Sequence, residues 1–294
     1  YIVQNKDVEV LRESTAGGAF TAIAKYVIHN SGVVFGVELN KNLEAHHIYV
    51  EDVTELKRFR NSKYVQSSVG GTLRKVKFFL EQGKTVCFSG TPCQIEGLKC
   101  YLKKDYENLI TVDVVCRAVP SPLIFRKYVE LQKQELEDDI KTVRFRDKYY
   151  GYKYSTMNVV TDRNHGNYHQ GVESDPWLRA FFSNICDRPS CHNCHFRNQY
   201  RVSDFTIWDC FHAGRFSKEL DNDKGATRVL VHTDKGRRIF EAIKDDFSYV
   251  EVKPEEAVAG AKEMQESVKP HEQRQVFFED ANKLSGSQLF YKYF

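Results

Sequence analysis

The first half of the chain alternates between strand-like and helix-like patterns of hydrophobic and polar residues. Short β-branched and apolar runs predict buried strands at 32–39, 46–50, 83–90 and 109–116. Apolar residues at helical spacing predict helices within 14–28, 71–82, 93–102 and 120–136. The run LITVDVVC at 109–116 is nearly all apolar, as in a strand covered on both faces. This alternation predicts an α/β fold, a mostly parallel sheet flanked by helices.

The second half of the chain has a different pattern. Three segments with polar turns predict an additional antiparallel β region: IKTVRFRDK, GYKYSTMNVVTD and NYHQG. A cysteine-rich loop at 186–196 comes next, followed by two strands, a helix at 234–245 and a helical, charged C-terminal region ending in a docked tail, GSQLFYKYF. We therefore divide the chain into residues 1–138, an α/β part, and residues 139–294, which contain the antiparallel strands, the cysteine loop and the terminal helices.

Composition narrows the class of protein. The chain has 294 residues, 41% of them hydrophobic, which suits a globular protein with a substantial core. No run approaches the roughly 18 apolar residues of a membrane span. The net charge of +3 gives no indication of a nucleic-acid partner. The chain opens at Tyr1 without methionine, so we expect it to be a fragment of a longer protein.

The eight cysteines predict a reduced, cytoplasmic protein rather than a disulfide framework. Cys87 and Cys100 lie inside core-like patterns and are expected to be plain buried residues. Cys93 follows a proline where a predicted strand turns into a helix. The N-terminus of a helix favours a thiolate at that position.

The loop CDRPSCHNCHF at 186–196 presents two cysteines, Cys191 and Cys194, at the spacing of a metal-binding turn. A metal site normally has four ligands, so two more must come from elsewhere in the fold. Cys93 and Cys116 are the best candidates, because both follow predicted parallel strands at the edge where open α/β sheets bind ligands. On the residues alone, iron–sulfur and structural zinc, the latter using His192 or His195, stay equally open.

Several motifs in the same order resemble those of the coenzyme F420 hydrogenase/dehydrogenase beta-subunit family. They are FSGTPCQIEGLKCYL, LITVDVVCRAVPSP, RPSCHNCHF with RVSDFTIWD, STAGGAF, SKYVQS and KGATRVLVHTDKG. The resemblance covers nearly the whole chain and implies an oxidoreductase with a non-covalent FAD and a [4Fe–4S] cluster. It also implies a bacterial-type member that lacks the ferredoxin-like domain which relatives often carry upstream.

The resemblance implies cluster ligands at Cys93, Cys116, Cys191 and Cys194, and leaves Cys186 as a spare cysteine. It implies flavin contacts from three segments of the chain: Ser14, Thr15, Gly17 and Gly18; Ser62, Lys63, Tyr64 and Gln66; and Gly225 and Thr227. The chain departs from the family pattern near the redox centre, with Arg117 and Ala118 where relatives commonly have His-Gly. Trp208 and Cys210 also replace a common glycine and a bulky aromatic residue.

Plainer interpretations exist for the flavin residues. STAGGAF also fits a capped helix with tight packing at its glycines, and SKYVQS fits an exposed polar strand end. A turn before a strand explains Gly225 equally well. Asp113, inside an apolar strand, is expected to be a buried, hydrogen-bonded structural residue, and no catalytic residue is assigned.

These observations predict an oxidoreductase that couples hydride transfer at FAD to single-electron transfer through a [4Fe–4S] cluster. Its expected partners are a small-molecule redox substrate and a ferredoxin or ferredoxin-like domain. The docking surface is expected near Arg188, Arg197 and Arg201 of the cysteine loop. The alternative is a zinc-stabilised scaffold or interaction domain without redox activity.

Overall fold

A computed structural model describes residues 1–163 and 168–294. Its strands are β1 (Ile2–Asn5), β2 (Val33–Leu39), β3 (Ala45–Val50), β4 (Val86–Gly90), β5 (Leu109–Val114), β6 (Ile140–Asp147), β7 (Thr156–Thr161), β8 (Tyr168–Gln170), β9 (Phe205–Asp209), β10 (Thr227–Val231) and β11 (Phe247–Val250). Its helices are α1 (Val8–Glu13), α2 (Ala19–His29), α3 (Thr72–Glu81), α4 (Pro92–Leu102), α5 (Pro122–Glu135), α6 (Pro176–Phe182), α7 (Asp234–Ile243), α8 (Pro254–Val258), α9 (Arg274–Ala281) and α10 (Gly286–Tyr293).

Within these described residues, the larger sheet has eight strands in the order β11-β1-β10-β9-β5-β4-β2-β3. The four neighbours β9, β5, β4 and β2 are parallel, and the pairs on both flanks are antiparallel. This arrangement confirms the α/β prediction. The parallel strands end at one edge, which places the residues after β4 and β5 side by side.

Helices cover both faces of this sheet. On one face, Ile23 of α2 and Phe240 of α7 belong to the same apolar cluster as Val112 of β5. On the other face, Val76 of α3 and Ile95 of α4 pack with β2, β4 and the start of β5. Each fully buried aliphatic side chain contributes about 1.5–3 kcal/mol to stability. The two layers therefore fix the ends of β4 and β5, where the cysteines lie.

A smaller antiparallel sheet, β6-β7-β8, confirms the predicted second β region. Its core joins Phe145 of β6 to Tyr128 of α5, Trp177 of α6 and Phe290 of α10. The terminal helix α10 packs on α5, so the tail is docked as the sequence indicates. Asn167, at the start of the third predicted segment, lies outside the described residues.

The sequence patterns missed β1, α1, α6 and β11. The expectation of a buried Cys87 is confirmed, but that of a buried Cys100 is wrong, because Cys100 lies on the exposed side of α4. The strand β1 pairs with β10 and β11 on its two sides, although it contains only four residues. Strands β9 and β10, which lie beyond residue 139, join the same sheet as β4 and β5. The division of the chain at residues 138 and 139 stays a prediction. Of the described helices, none has the length and apolar character needed to cross a membrane.

Candidate functional site

Cys93 lies in the first turn of α4, directly after the end of β4. The helix starts with a capping box in which the backbone N–H of Thr91 donates to Gln94 Oε1 at 2.9 Å, with Pro92 in the first turn. Thr91 Oγ1 lies 3.1 Å from Cys93 Sγ. Cys93 therefore lies at the end of α4 that carries unpaired backbone N–H groups and the positive end of the helix dipole.

Cys116 lies two residues after β5, and it interacts electrostatically with the other three predicted ligands. Burial, and then the charges of Cys191, Cys93 and Cys194, raise the pKa of the Cys116 thiol to about 12, whereas Arg197 acts in the opposite direction. The thiols interact electrostatically, so the fold brings together cysteines from three distant segments. We call Cys93, Cys116, Cys191 and Cys194 the thiol site.

Cys191 and Cys194 belong to a short 3₁₀ turn, Pro189–Asn193, and the residue after it. Backbone bonds tie this turn to the strand ends, with the N–H of Arg188 donating to Val119 O at 2.9 Å. The N–H of Cys194 donates to Ser267 Oγ at 2.9 Å. Both anchors come from parts of the chain that are remote in sequence, so the turn is held against the end of β5.

Cys186 occupies a different environment from the thiol site. It is fully buried in the apolar cluster that contains Trp177, and its carbonyl accepts a bond from the N–H of Ser121 at 2.9 Å. Burial raises the pKa of its thiol well above the usual value, with Asp187 as the next cause. This placement suits a packing residue and supports its assignment as a spare cysteine.

Basic side chains surround the thiol site. Arg197 donates through its terminal nitrogens to the carbonyls of Cys116, Arg117 and Glu263. In residues 1–163 and 168–294, the buried Nε atoms of Arg117, Arg197 and Arg201 have no hydrogen-bond partner, and neither does His192 Nε2. Unsatisfied buried nitrogens are uncommon in folded proteins, and a bound anion or an ordered water would satisfy them. Their chemistry suits an anion with several acceptor atoms.

The described residues contain no group of three or more His, Cys, Asp and Glu side chains already arranged to hold a metal ion. Thiols bind metal only after they lose their protons, and the raised pKa of Cys116 favours its protonated form when no metal is bound. The donor set nevertheless fits an iron–sulfur cluster, since four thiolates are its usual ligands. Buried guanidinium N–H groups beside it are donors for its sulfur atoms.

Asp187 adds a buried carboxyl beside the same loop. The residue is fully buried, and neither carboxyl oxygen has a hydrogen-bond partner among the residues described. Burial raises the pKa of Asp187 to about 7, while Arg117, Arg274 and Arg197 act in the opposite direction. No sequence pattern indicates this group, because its burial depends on segments that are distant in the chain.

The glycine-rich loop before α2 forms a second predicted site. The N–H of Gly17 donates to Thr227 Oγ1 at 2.7 Å, and its carbonyl accepts from Asn5 N at 2.8 Å. A Cβ atom on Gly17 would lie 2.2 Å from Val3 O and 2.6 Å from Thr227 N. Gly18 has a φ of 78° directly before α2. The loop therefore needs glycine at residue 17 because there is no space for a side chain, and at residue 18 because the backbone is left-handed.

The other predicted flavin residues lie around this loop. Ser62 donates from its backbone N–H to Thr15 Oγ1 at 2.7 Å. Gly225, with a φ of 98°, lies against the loop, because a Cβ there would be 3.0 Å from Ala16 O. We call residues 14–18, residues 62–64, Gly225 and Thr227 the cradle.

Tyr64 and Gln66 of SKYVQS have separate partners. Tyr64 stacks on Phe181, and its hydroxyl accepts a bond from Arg146 Nη1 at 3.1 Å. The N–H of Gln66 donates to Pro120 O at 3.0 Å, which places Gln66 on the side of the thiol site. The segment therefore runs from the cradle to the residues that follow Cys116.

Cations converge on the cradle. Lys63 Nζ donates to the carbonyls of Arg58 and Arg60 at 3.1 and 3.0 Å. Burial, and then the charge of Arg144, lowers the pKa of Lys63 to about 7. Lys63 is half-buried, and a lysine with a lowered pKa gains its charge readily when an anion binds beside it.

The sequence analysis missed three further cations, Arg144, Arg146 and Lys148. Arg144 Nη2 donates to Glu13 O at 2.8 Å, and Lys148 Nζ donates to the carbonyls of Leu11, Ala16 and Lys224 at 2.7–2.8 Å. The spacing R-x-R-x-K in RFRDK groups these residues in the sequence. Because the register of β6 against β7 shifts between Arg144 and Asp147, alternation along the strand does not show what they face.

Buried nitrogens without a partner also lie next to the cradle. Within the described ranges, Arg146 Nη2 and Arg60 Nε are buried and have no hydrogen-bond partner. Burial lowers the pKa of Lys148 to about 7, with Asp209 acting in the opposite direction. Diphosphate oxygens would accept from these nitrogens and favour the charged lysines, so the cradle fits the phosphate part of a dinucleotide.

A cavity of about 700 Å³ opens near the cradle, lined by Lys153, Phe211, His212, Gly214, Arg215 and Asp221. The ring of Phe211 stacks on Tyr152, and the guanidinium of Arg146 lies 5.0 Å from the Phe211 ring centre. Arg146 thus connects this cavity to Tyr64 of the cradle. A second cavity of about 550 Å³ lies beside β3 and the N-terminus of α3.

Comparison with known proteins now defines the class. The family described as the C terminus of the coenzyme F420 hydrogenase/dehydrogenase beta subunit matches residues 83–258, more than half of the chain. The chain belongs to this family, and the resemblance inferred from the sequence motifs is confirmed. Membership indicates a redox protein like the beta subunits of these enzymes.

A solved structure has a similar fold. It is the structure of the F420-reducing [NiFe] hydrogenase complex from Methanosarcina barkeri after xenon derivatization. The match has a TM-score of 0.56 and 18% sequence identity, and it covers 95% of this chain and 90% of that chain. At this identity the likeness shows the fold alone. No curated protein sequence matches the chain.

Proposed function

We propose that the protein is a flavin- and iron–sulfur-dependent oxidoreductase that couples hydride transfer at FAD to single-electron transfer through a [4Fe–4S] cluster. The observation that carries the proposal is the thiol site, where four thiols from three segments interact electrostatically beside buried arginine nitrogens that have no partner in the described residues. Family membership supports a redox role.

Cys93, Cys116, Cys191 and Cys194 would hold the cluster, each through its thiolate. Arg197 holds the carbonyls of Cys116 and Arg117, and so orients the peptide that carries one ligand. The nearby guanidinium groups of Arg117 and Arg201 would offset the negative charge of four thiolates. The cluster supplies one-electron chemistry when bound.

The cradle would bind the diphosphate and ribityl parts of FAD. The loop 14–18 provides close backbone approach, and Lys63, Arg146 and Lys148 provide positive charge. Tyr64 is held by Phe181 and Arg146, so its position is fixed before the flavin binds. The flavin supplies hydride chemistry, which is what the single cluster lacks.

The small-molecule redox substrate would enter through the cavity beside Phe211. Its two cationic side chains, Lys153 and Arg215, outnumber the one carboxylate, Asp221, which pairs with Lys153 at 2.8 Å. The aromatic ring of Phe211 provides a surface for a flat molecule. The solved structure is of a hydrogenase complex, and we propose that this chain likewise exchanges electrons with a protein partner, a ferredoxin or ferredoxin-like domain.

The arginines expected to dock that partner have different environments. Arg197 and Arg201 donate to backbone carbonyls and hold the cysteine loop together. Arg188 instead makes an exposed hydrogen bond, from its Nη2 to Ser190 Oγ at 3.1 Å. Of the three, we therefore keep Arg188 as the candidate for steering an acidic partner.

An anaerobic reductive titration tests the function. Protein reconstituted with FAD, iron and sulfide should take up about three electrons per chain, two for the flavin and one for the cluster. Cys116→Ser should retain the two-electron flavin component and lose the one-electron component. A wild-type protein that takes up no electrons and contains zinc would support the alternative, a scaffold without redox activity.

A further inference from the structure

A row of polar side chains crosses three neighbouring strands next to the thiol site. Asp113 of β5 pairs in register with Thr206 of β9, and Thr206 pairs with Leu230, two residues before His232. Asp113 is 1% exposed and Thr206 is fully buried, whereas His232 is half-buried. The row therefore runs from a half-buried residue just after β10 to a buried residue in β5. We call Asp113, Thr206 and His232 the polar row.

Asp113 is the inner end of the polar row. Its Oδ2 accepts a bond from Ser203 Oγ at 3.0 Å, and its buried Oδ1 has no hydrogen-bond partner in the described part of the chain. Burial raises the pKa of Asp113, although the nearby Thr206 hydroxyl and Arg201 act in the opposite direction. A buried carboxylate oxygen without a donor is a good acceptor for a proton.

Thr206 connects Asp113 to the outer end of the row. Its Oγ1 lies 2.8 Å from His232 Nε2. Burial lowers the pKa of His232 to about 4, and Arg201 lowers it further, whereas Asp204 raises it. Because burial penalises both the imidazolium and the carboxylate, a proton is favoured on Asp113 over His232. A hydroxyl between the two can accept from the ring and donate to the carboxylate.

The polar row ends beside the proposed cluster ligands. Asp113 pairs in register with Gly90, which lies just before Cys93, and Asp113 itself lies three residues before Cys116. Arg201 interacts electrostatically with Asp113 and with the thiols of Cys194 and Cys116. Glu96 of α4 is the other charged group that acts on Asp113. Asp113 and the cluster would thus share one counter-ion, Arg201.

We propose that Asp113 binds one proton when one electron enters the cluster, and that the proton arrives through His232 and Thr206. This inference rests on the proposed function, because it needs a cluster at the thiol site. The added electron raises the negative charge that Arg201 must offset, so the carboxylate is neutralised by a proton from solvent. A low-potential one-electron reductant provides the electron, and the proton forms the O–H bond at Asp113 Oδ1.

The experiment measures the midpoint potential of the cluster as a function of pH, by redox titration followed by electron paramagnetic resonance. In wild-type protein there should be a pH range in which the midpoint potential falls by about 59 mV per pH unit. This is the slope expected when one proton is bound for each electron. Asp113→Asn should have a potential that does not depend on pH in this range. Ser203→Ala, which leaves the carboxylate in place, should retain the slope.

Thr206→Val tests the route of the proton independently of its acceptor, Asp113. This variant keeps Asp113, so the slope should remain, but reduction of the cluster should slow by roughly 100-fold where it is limited by proton transfer. Equal rates in Thr206→Val and wild type would overturn the route. The Thr206→Val result is informative even if Asp113→Asn does not fold.

The outcomes distinguish this inference from the proposed function. A wild-type chain that assembles no cluster overturns both. A wild-type cluster whose potential is constant with pH overturns the inference and leaves the proposed function standing. An unchanged slope in a folded Asp113→Asn protein with full cluster content also overturns it.

Discussion

The backbone N–H of Gly17 donates to Thr227 Oγ1 at 2.7 Å, and this bond joins the loop before α2 to the start of β10. The two residues are 210 positions apart in the chain. The approach is so close that a side chain at residue 17 would overlap the backbone of β1 and β10. The contact fixes the loop on which the proposed flavin cradle is built.

Gly17→Ala should therefore weaken both folding and flavin binding. The added methyl group meets backbone atoms, which cannot rotate away, so we expect a loss of about 1–3 kcal/mol in the free energy of unfolding. Urea denaturation measures the loss, and FAD content after gel filtration measures binding.

Gly97→Ala is the matched control for this substitution. Gly97 lies within α4, and its Cβ position is open, so alanine should raise the free energy of unfolding by about 0.5–1 kcal/mol. Equal stability and equal FAD content in Gly17→Ala and wild type would show that the loop tolerates a side chain and is no cradle.

Lys63→Ala should weaken FAD binding by about 1.5–3 kcal/mol, because it removes a charge-assisted contact to the diphosphate. Fluorescence quenching of added FAD measures the dissociation constant. Lys41→Ala removes an exposed lysine far from the cradle in the chain and should leave the constant unchanged. The assignment of Lys63 fails if both variants bind FAD equally well.

FAD affinity should fall as the pH rises above 7. Burial holds the pKa values of Lys63 and Lys148 near 7 in the protein without ligand, and a bound diphosphate would raise both values. Above pH 7, FAD binding is then accompanied by proton uptake. For each proton taken up, the affinity for FAD falls by up to about tenfold for every unit that the pH rises. Below pH 7 both lysines are already charged, and the dependence disappears.

Lys148→Met tests this pH dependence. Methionine fills the same space without a titrating group, so the slope above pH 7 should decrease. Calorimetry in two buffers of different ionisation enthalpy counts the protons directly. A wild-type protein that binds FAD with no proton uptake at pH 8 would show that neither lysine contacts the diphosphate.

Single substitutions of the thiol site should remove iron and sulfide. Cys93→Ser, Cys116→Ser, Cys191→Ser and Cys194→Ser each delete one thiolate, and we expect lower cluster content in all four. Cys186→Ser is the matched control. Because Cys186 packs in the core, this substitution should lower the free energy of unfolding but leave the iron content unchanged. Full occupancy in Cys116→Ser together with loss in Cys186→Ser would reverse the assignment.

Sequence patterns predicted much of the sheet, because β5 is an almost unbroken apolar run and α4 has apolar residues at regular helical spacing. They missed β1, where Gln4 and Asn5 are buried polar residues in a strand of only four. The hydrogen bonds of β1 to β10 and β11 stabilise this strand, and such a short segment gives no sequence pattern that predicts them.

Sequence patterns indicate only part of the candidate site, for a related reason. Local spacing indicates Cys191 and Cys194 as a pair, and strand ends indicate Cys93 and Cys116. No local pattern shows that Arg144 and Lys148 face the loop 14–18, because that contact depends on how the two sheets pack. Likewise, no local pattern shows that Arg197 donates hydrogen bonds to the carbonyls of Arg117 and Glu263, because these residues are distant in the chain.

The central claim is that this chain holds one flavin and one iron–sulfur cluster, and elemental and cofactor analysis of a single anaerobic preparation tests it most directly. The account predicts yellow-brown protein with about four iron, about four sulfide and about one FAD per chain. Colourless protein with about one zinc per chain and no flavin after reconstitution would contradict it.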